Sequence, residues 1–567
     1  MSETTASERK SSAFFADERF KRLVAILMAL ITVLAALVGF LQTDASARSA
    51  QANRSAQRFA IQATGQKTSG ATQFNYEYDI YRAWYELDLL ALSAGSADDS
   101  AAVRRYETVR DRLAGLGLLL EAPYFDAANG AAPDVNGYEA DIYLTETTAL
   151  TERYTNAAGL GRAWSDKANA YVTQLTILAV ILFLYGLSTT IAGPVRWLFV
   201  GAGTLIAGVV ALWLLVTLIW PVPTLPEPAI VSYARGVGLA YRGKSKEAIA
   251  AFDQALAEAP GYANALYERG QSHFDMDDYE ATAADYQAAQ AAGRDDAGVA
   301  GNLGWTYYLL GRFDDSAKMS RHALELDASE IGVHLNLGLA LLASGQLDAA
   351  RTEYANTMTL VSQQVAKARE AGQQPSSSLW WYMDAGVRDL ESLLARLDDR
   401  PRPWTDAPPR QTIADPDAVA TAAQELSKQF KDLTVALEYT GQPPAGSVTA
   451  QITPFEFGQA QYDDQGNFVD YTTAESFPYG ADEVIVLFDY EGMQDGQETI
   501  WKVYRDGQED PSLRVVEQWS LGQAGGAQKP ISFAYSNVFF FTPGEYAVEL
   551  YVDSHLVQSG SFTIESP

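Results

Sequence analysis

Glycine recurs at Gly236, Gly270, Gly304 and Gly338, each 34 residues from the next. A fixed period of a few tens of residues constrains a chain more than any composition does, because it specifies small units that bury their apolar faces only by stacking. Other positions keep the same register. Ala248, Thr282, Ser316 and Ala350 lie twelve further on, Phe252, Tyr286, Ser320 and Tyr354 four later, and Ala255, Ala289, Ala323 and Thr357 follow. Glycine on one helix lets a second helix cross closely, a small residue on the second completes the contact, and the aromatic fills the junction. Each unit therefore reads as a helical hairpin, turned at Gly243, Gly311 and Gly345, with Asp277 in that role in the second unit.

Asn302-Leu303-Gly304-Trp305-Thr306-Tyr307 and Asn336-Leu337-Gly338-Leu339-Ala340-Leu341 resemble the first helix of the tetratricopeptide repeat (TPR). Pro260 closes the first unit as that family does; Arg294 and Ala328 depart from it. The resemblance spans Ala229–Met358, and helices over Ser378–Leu397, with Leu379, Trp380, Tyr382, Met383 and Leu390, are expected to cap the open end, giving an array over 229–398. It implies an α-solenoid whose concave groove binds a protein or peptide. Tyr233, Tyr241, Tyr267, Gln271, Phe274, Asn302, Trp305, Tyr308 and Asn336 are the expected groove residues, each with internal packing as the alternative reading. The basic clamp with which some members grip a terminal carboxylate has no Lys or Arg here, which argues against that class of peptide.

Leu23 to Leu41 carries no charge over 19 residues, enough to cross most of a hydrocarbon layer about 30 Å thick. The long polar lead, residues 1–22, argues for an anchor over a cleaved signal. A second apolar block covers 175–191, breaks at Gly193-Pro194-Val195-Arg196, and resumes over 197–220, which reads as two more spans, with Gly203 and Ala207 as a close-packing face. Lys10, Arg19, Lys21, Arg22 and Arg196 place the N-terminus and the hairpin loop in the cytoplasm, and three spans then put the carboxyl half outside. Arg48, Arg54 and Arg58 oppose this orientation. Residues 42–174 form a helical insert: Phe74, Tyr78, Tyr81, Tyr85, Leu89 and Leu92, then Val103, Tyr106, Val109 and Leu113, recur at helical spacing. In plan it resembles the periplasmic sensing domains of bacterial receptors.

Pro401, Pro403, Pro408, Pro409 and Pro416 mark a stiff linker over 399–416. Beyond it a short helix over 417–433 precedes segments of period two: 484–488, 500–504, 513–519, 531–535, 546–552 and 556–564. These predict an antiparallel, all-β sandwich of immunoglobulin-like type over 417–567. From 441 to 567 the chain has 19 acidic and 4 basic residues, a net of −15, half of the whole chain's −30. Asp463, Asp464, Asp470, Asp482 and Glu483 lack a calcium-loop spacing and read as a solvated face. Trp501, Tyr504 and Trp519 are read as core in preference to a sugar-stacking platform.

The chain has no cysteine, which excludes disulfides, thiolate metal sites and cysteine nucleophiles. Its negative charge repels phosphate backbones and argues against a nucleic-acid partner. The four histidines, His273, His322, His334 and His555, have no partner at ligand spacing. A formal phosphate-loop match, Gly238 to Ser245, lacks the preceding strand, since Gly238 falls inside a repeat helix. No catalytic residue, cofactor or metal is expected. The leading expectation is a membrane-anchored adaptor; the alternatives are a sensor whose insert binds a small ligand and a cell-surface carbohydrate-binding protein.

Overall fold

The structure is a computed structural model that describes residues 3–96, 99–126, 132–191, 193–398, 407–444, 446–462, 468–481, 483–532 and 541–566. Its contacts divide the chain into two compact units, Met1–Met276 and Asp277–Pro567. The boundary falls inside the array expected over 229–398.

In the first unit, α1 (Glu3–Ser96) passes from the expected first span into the insert without a break. The chain's first proline is Pro123, so no residue before it forces the helix to stop. α2 (Ser100–Ala114) starts where the Asp99 carboxylate accepts from the N–H groups of Ala101 and Ala102, satisfying donors a helix start leaves free. α3 (Val135–Glu139) leads through a π-helical turn, Ala140–Leu144, into α4 (Thr145–Thr190). α5 (Arg196–Ile219) follows.

α4 returns antiparallel along α1: Ser49 Oγ donates to the Gly161 carbonyl at 2.8 Å and Gln66 to the Ile142 carbonyl at 3.0 Å. The apolar stretches meet through Val24, Ile31 and Val38 of α1, Leu178, Ile181 and Tyr185 of α4, and Val200, Val210 and Leu214 of α5. Gly203 admits the Tyr185 ring, since a Cβ there would lie 2.7 Å from it. Ile26, Leu30, Val33 and Phe40 point outward from the same stretch of α1. Three helices, α1, the one ending at Thr190 and α5, are long and apolar enough to cross a membrane. α6 (Glu227–Tyr241), α7 (Ser245–Glu258) and α8 (Ala263–Phe274) complete the unit.

The second unit continues as α9 (Tyr279–Ala291), α10 (Ala297–Leu309), α11 (Phe313–Leu326), α12 (Ile331–Ala343) and α13 (Leu347–Glu370). α14 (Ser377–Leu397) and α15 (Pro416–Tyr439) follow, the second extending six residues past the expected end at 433. Its strands are β1 (Gln451–Ile452), β2 (Glu456–Tyr462), β3 (Phe468–Thr473), β4 (Ser476–Phe477), β5 (Glu483–Glu491) and β6 (Glu498–Arg505). β7 (Gln508–Glu509), β8 (Val515–Gln518), β9 (Ala524–Ser532), β10 (Gly544–Val552) and β11 (His555–Ile564) complete the set.

In one sheet β5 pairs antiparallel with β9 along its length and with β1 and β2 at successive segments, and β3 extends from β2. The other runs β4-β11-β10-β6-β7, with β8 also on β6. Its β4–β11 pair is parallel, a departure from the all-antiparallel expectation. The two sheets share one core, Val484, Val486 and Phe488 of β5 against Trp501, Val503, Val548, Leu550 and Phe562. Trp501 and Trp519 are thus buried and offer no platform.

Leu513 sits in a 3₁₀ turn before β8, and β9 lies earlier than the expected 531–535. Two glycines and Pro530 hide β9 from a pattern search, and a proline in a strand points to a sheet edge. Pro401, Pro403, Asp463, Asp464, Asp482 and residues 533–535 lie outside the described residues.

The outer face of the second sheet rests on α15, with Val435 against Ile500 and Tyr551. Lys431 reaches Glu391 at 2.6 Å and also Glu549; Lys502 lies 3.0 Å from Glu438 and 3.1 Å from Glu509. Burial lowers the pKa of both lysines, yet the facing carboxylates outweigh it and raise them above the ordinary value. The strands are therefore bolted to α15 by paired charges as well as by apolar contact.

Candidate functional site

The hairpins follow the geometry that the period demands. A Cβ on Gly236 would lie 2.4 Å from the Phe252 ring, one on Gly304 2.8 Å from Ser320 Oγ, and one on Gly338 2.9 Å from the Tyr354 ring. These pairs are the glycines and the residues sixteen further on. The turns are left-handed at Gly243 (φ 69°), Gly311 (φ 72°) and Gly345 (φ 80°), and at Asp277 (φ 59°), where a non-glycine residue adopts that conformation. Gly238 lies inside α6 and Ser245 opens α7, so the formal phosphate-loop match is a hairpin turn.

In the first unit, one face of α6 is already occupied by the chain itself. Ile230 and Ala234 pack on Ala149 of α4, and a Cβ on Gly238 would meet Thr145 Oγ1 at 2.4 Å. Polar contacts fix the arrangement: Arg153 to Glu227 at 2.7 Å, Arg242 to Asp141 at 3.2 Å, Asn156 to the Leu225 carbonyl at 3.3 Å. At the start of α8, Tyr262 donates to Glu152 Oε2 at 2.8 Å and Asn264 to Oε1 at 2.9 Å. Burial and then the Glu152 charge push the Tyr262 hydroxyl far above its ordinary range, so it remains a donor at all working pH values.

Of the expected groove residues in this unit, Tyr233 is buried between Phe252 and Tyr262, with ring centroids at 6.0 and 5.0 Å. It is framework, filling the junction behind α6. Tyr241 is exposed and donates its hydroxyl to Glu139. Tyr267, Gln271 and Phe274 are half-buried on α8.

In the second unit, Asn302 and Trp305 are half-buried on α10 and Asn336 on α12. Tyr308 is 1% exposed, a correction to its place in the groove. It is stacked on Trp305 at 5.1 Å and packed on Phe313 at 5.9 Å. Burial, then the charge of Asp389, holds its hydroxyl well above the usual tyrosine range, and the hydroxyl has no hydrogen-bond partner.

Leu335, Leu339 and Leu342 of α12 are buried as well. α14 lies against this helix, Tyr382 at Gly332 and Gly386 at Leu335. The segment before α15 crosses the hairpin turns: a Cβ on Gly311 would lie 2.6 Å from Thr412, and the Ala414 N–H donates to the Ala343 carbonyl at 3.0 Å. A groove free along its whole length is therefore not what this chain presents. Trp305, Asn302 and Asn336 are the expected side chains that keep partial access in this unit.

His334 on α12 meets Glu353 on α13, and its other ring nitrogen faces the Ala328 carbonyl at 3.2 Å. The Glu353 carboxylate raises the histidine above its ordinary value. His322 is raised likewise by Asp295, 2.9 Å away. The first contact joins neighbouring helices, and the second ties α11 to the loop that precedes α10.

The family model of the tetratricopeptide repeat matches residues 297–330, which hold α10 and α11. No curated protein matches the chain. Among solved structures the chain is similar to YrrB, a TPR protein with an unusual peptide-binding site, at 18% identity over 28% of this chain and 85% of that one, with a TM-score of 0.23. It is also similar to MamA from Desulfovibrio magneticus RS-1, at 25% identity over 23% of this chain and 75% of that one, TM-score 0.23. The first TPR of Spaghetti bound to an HSP90 peptide gives 19% identity over 20% of this chain and 90% of that one, TM-score 0.20. Residues 297–330 are thus a tetratricopeptide repeat, carried in a stretch of helical hairpins that keeps its 34-residue period on either side.

Proposed function

We propose that this chain is a membrane-anchored, non-enzymatic scaffold whose repeats recruit a protein or peptide segment. The repeat at 297–330 carries the reading, because stacked hairpins of this kind are a protein-interaction fold. The three long apolar helices support the anchor. With residues 1–22 in the cytoplasm, an odd number of spans places the repeats and the β-sheets outside.

Within the second unit, recognition is assigned to Asn302, Trp305 and Asn336. Trp305 is the anchor, since a large rigid ring yields much contact area for little entropy. Tyr233 and Tyr308 act from behind as packing. The β-sheets supply a second surface on the faces that α15 leaves uncovered, and the net −15 of residues 441–567 favours a partner of neutral or basic surface.

The test is capture of the partner from detergent-solubilised membranes by the full chain and by Trp305→Ala/Asn336→Ala. The double variant is expected to lose the partner while keeping the wild-type melting temperature. Undiminished capture would place recognition elsewhere.

A further inference from the structure

Just beyond the apolar stretches, α1, α4 and the start of α6 enclose a cleft of about 350 Å³. One face of α1 supplies Arg48, Gln51, Ala52, Ser55 and Phe59, and one face of α4 supplies Arg153, Asn156, Ala157, Leu160 and Trp164. Ile230 and Glu227 of α6 close the far end. A second cavity of about 670 Å³ shares Phe59, Arg153 and Glu227 and continues away from the spans.

The end nearest the spans is cationic and aromatic. Arg48 comes seven residues after Leu41, and Trp164 eleven before Leu175. The Arg48 guanidinium lies 4.8 Å from the Trp164 ring centre and the Lys167 ammonium 5.5 Å from it, so two cations gather on one indole. Trp and Lys or Arg at this level are the side chains that settle among lipid headgroups. Residues 42–62 and 150–170 together hold six basic and three acidic residues, a net of +3 in a chain of net −30.

Most of the neighbouring polar groups are committed elsewhere. Arg153 is held by Glu227 and Glu146, and both amide atoms of Asn156 by Leu225. Among the described residues the one ion-pair partner of Arg48 is the exposed Asp44, one turn back on its own helix. Such a surface pair is weak and leaves guanidinium donors over.

From this placement we infer that the cleft binds the phosphate-bearing headgroup of an anionic membrane lipid. Arg48 and Lys167 meet the phosphate, and Gln51 and Ser55 offer hydrogen bonds to the rest of the headgroup. The acyl chains follow the apolar surface of α1 and α4 into the bilayer. Arg48, one of the cations that oppose the proposed orientation, is then explained as a headgroup contact. The inference rests on the membrane-anchored reading and on no particular orientation, since both leaflets carry phosphate.

The experiment uses the full chain in nanodiscs of equimolar phosphatidylglycerol and phosphatidylcholine, with co-purified lipid read by native mass spectrometry after transfer to detergent. Wild type is expected to retain phosphatidylglycerol preferentially. Arg48→Ala/Lys167→Ala should lower that retention about 30-fold, the loss of two headgroup cations. Ser55→Phe, which fills the cleft and keeps every charge, should lower it as well, whereas Arg54→Ala should not.

Equal retention of the two lipids by wild type, or full retention by Ser55→Phe, overturns the proposal: the first denies selectivity and the second reduces it to surface charge. Glycerol phosphate or inorganic phosphate displacing the lipid at millimolar concentration would instead make the ligand a free anion, and also overturns it. Failure to enter nanodiscs at all would remove the anchored reading itself, a result distinct from insertion without lipid preference.

Discussion

Gly236 shows how one hydrogen in place of a methyl group decides a helix crossing. Its missing side chain is the space filled by Phe252, itself fully buried. Gly236→Val should lower unfolding free energy by about 3 kcal/mol through overpacking, read by chemical denaturation. Tyr308 gives an opposite pair of expectations. Tyr308→Phe removes a buried hydroxyl that has no partner and should be neutral or slightly stabilising, while Tyr308→Ala should cost about 3–5 kcal/mol by opening a cavity. His334 adds a pH dependence. Glu353 raises its folded pKa above the ordinary value, so its contribution is complete below about pH 6.5 and is lost as pH rises through the folded pKa. The melting temperature should fall over that rise, and His334→Gln should flatten the dependence in a calorimetric series. Sequence separates these cases poorly. Trp305 and Tyr308 both fall on α10 with aromatic side chains suited to a groove, and Tyr308 is submerged by neighbours and a charge, Asp389, lying far along the chain. Periodicity names the helix face; what covers that face comes from residues with no periodic mark.

Among the elements, the repeat helices were the most legible, since their small residues, turns and aromatics recur in register and each occurrence supports the next. The strands of β5, β6, β10 and β11 announced themselves by alternation, whereas β2 and β3, with glutamine, threonine and glycine among their apolar residues, did not. Nor did the sequence show that α4 would serve as the seat of α6 and α8. That contact depends on Glu152, a buried carboxylate whose two oxygens take Tyr262 and Asn264. Glu152→Ala leaves both donors unmet and should cost about 1–3 kcal/mol. Hydrogen exchange should quicken across Ala263–Phe274 first; unchanged protection there would deny the fastening role. A comparable expectation holds where the sheets meet α15. Glu549→Ala strands the Lys431 ammonium against Glu391 alone, and the second unit should lose roughly 3–5 kcal/mol.

At the scale of the whole chain, the apolar helices, the repeat and the β-sheets are arranged in that order, so whatever compartment receives the end of α5 also receives everything after it. The anchored-scaffold account turns on this. Its most direct test is protease treatment of intact cells carrying the full chain with an epitope at the carboxyl terminus, with a cytoplasmic protein followed as a control for integrity. The account predicts loss of the epitope from sealed cells while the control survives. An epitope protected until the membrane is opened would contradict it, placing the repeats and their partner on the cytoplasmic side or removing the three-span anchor.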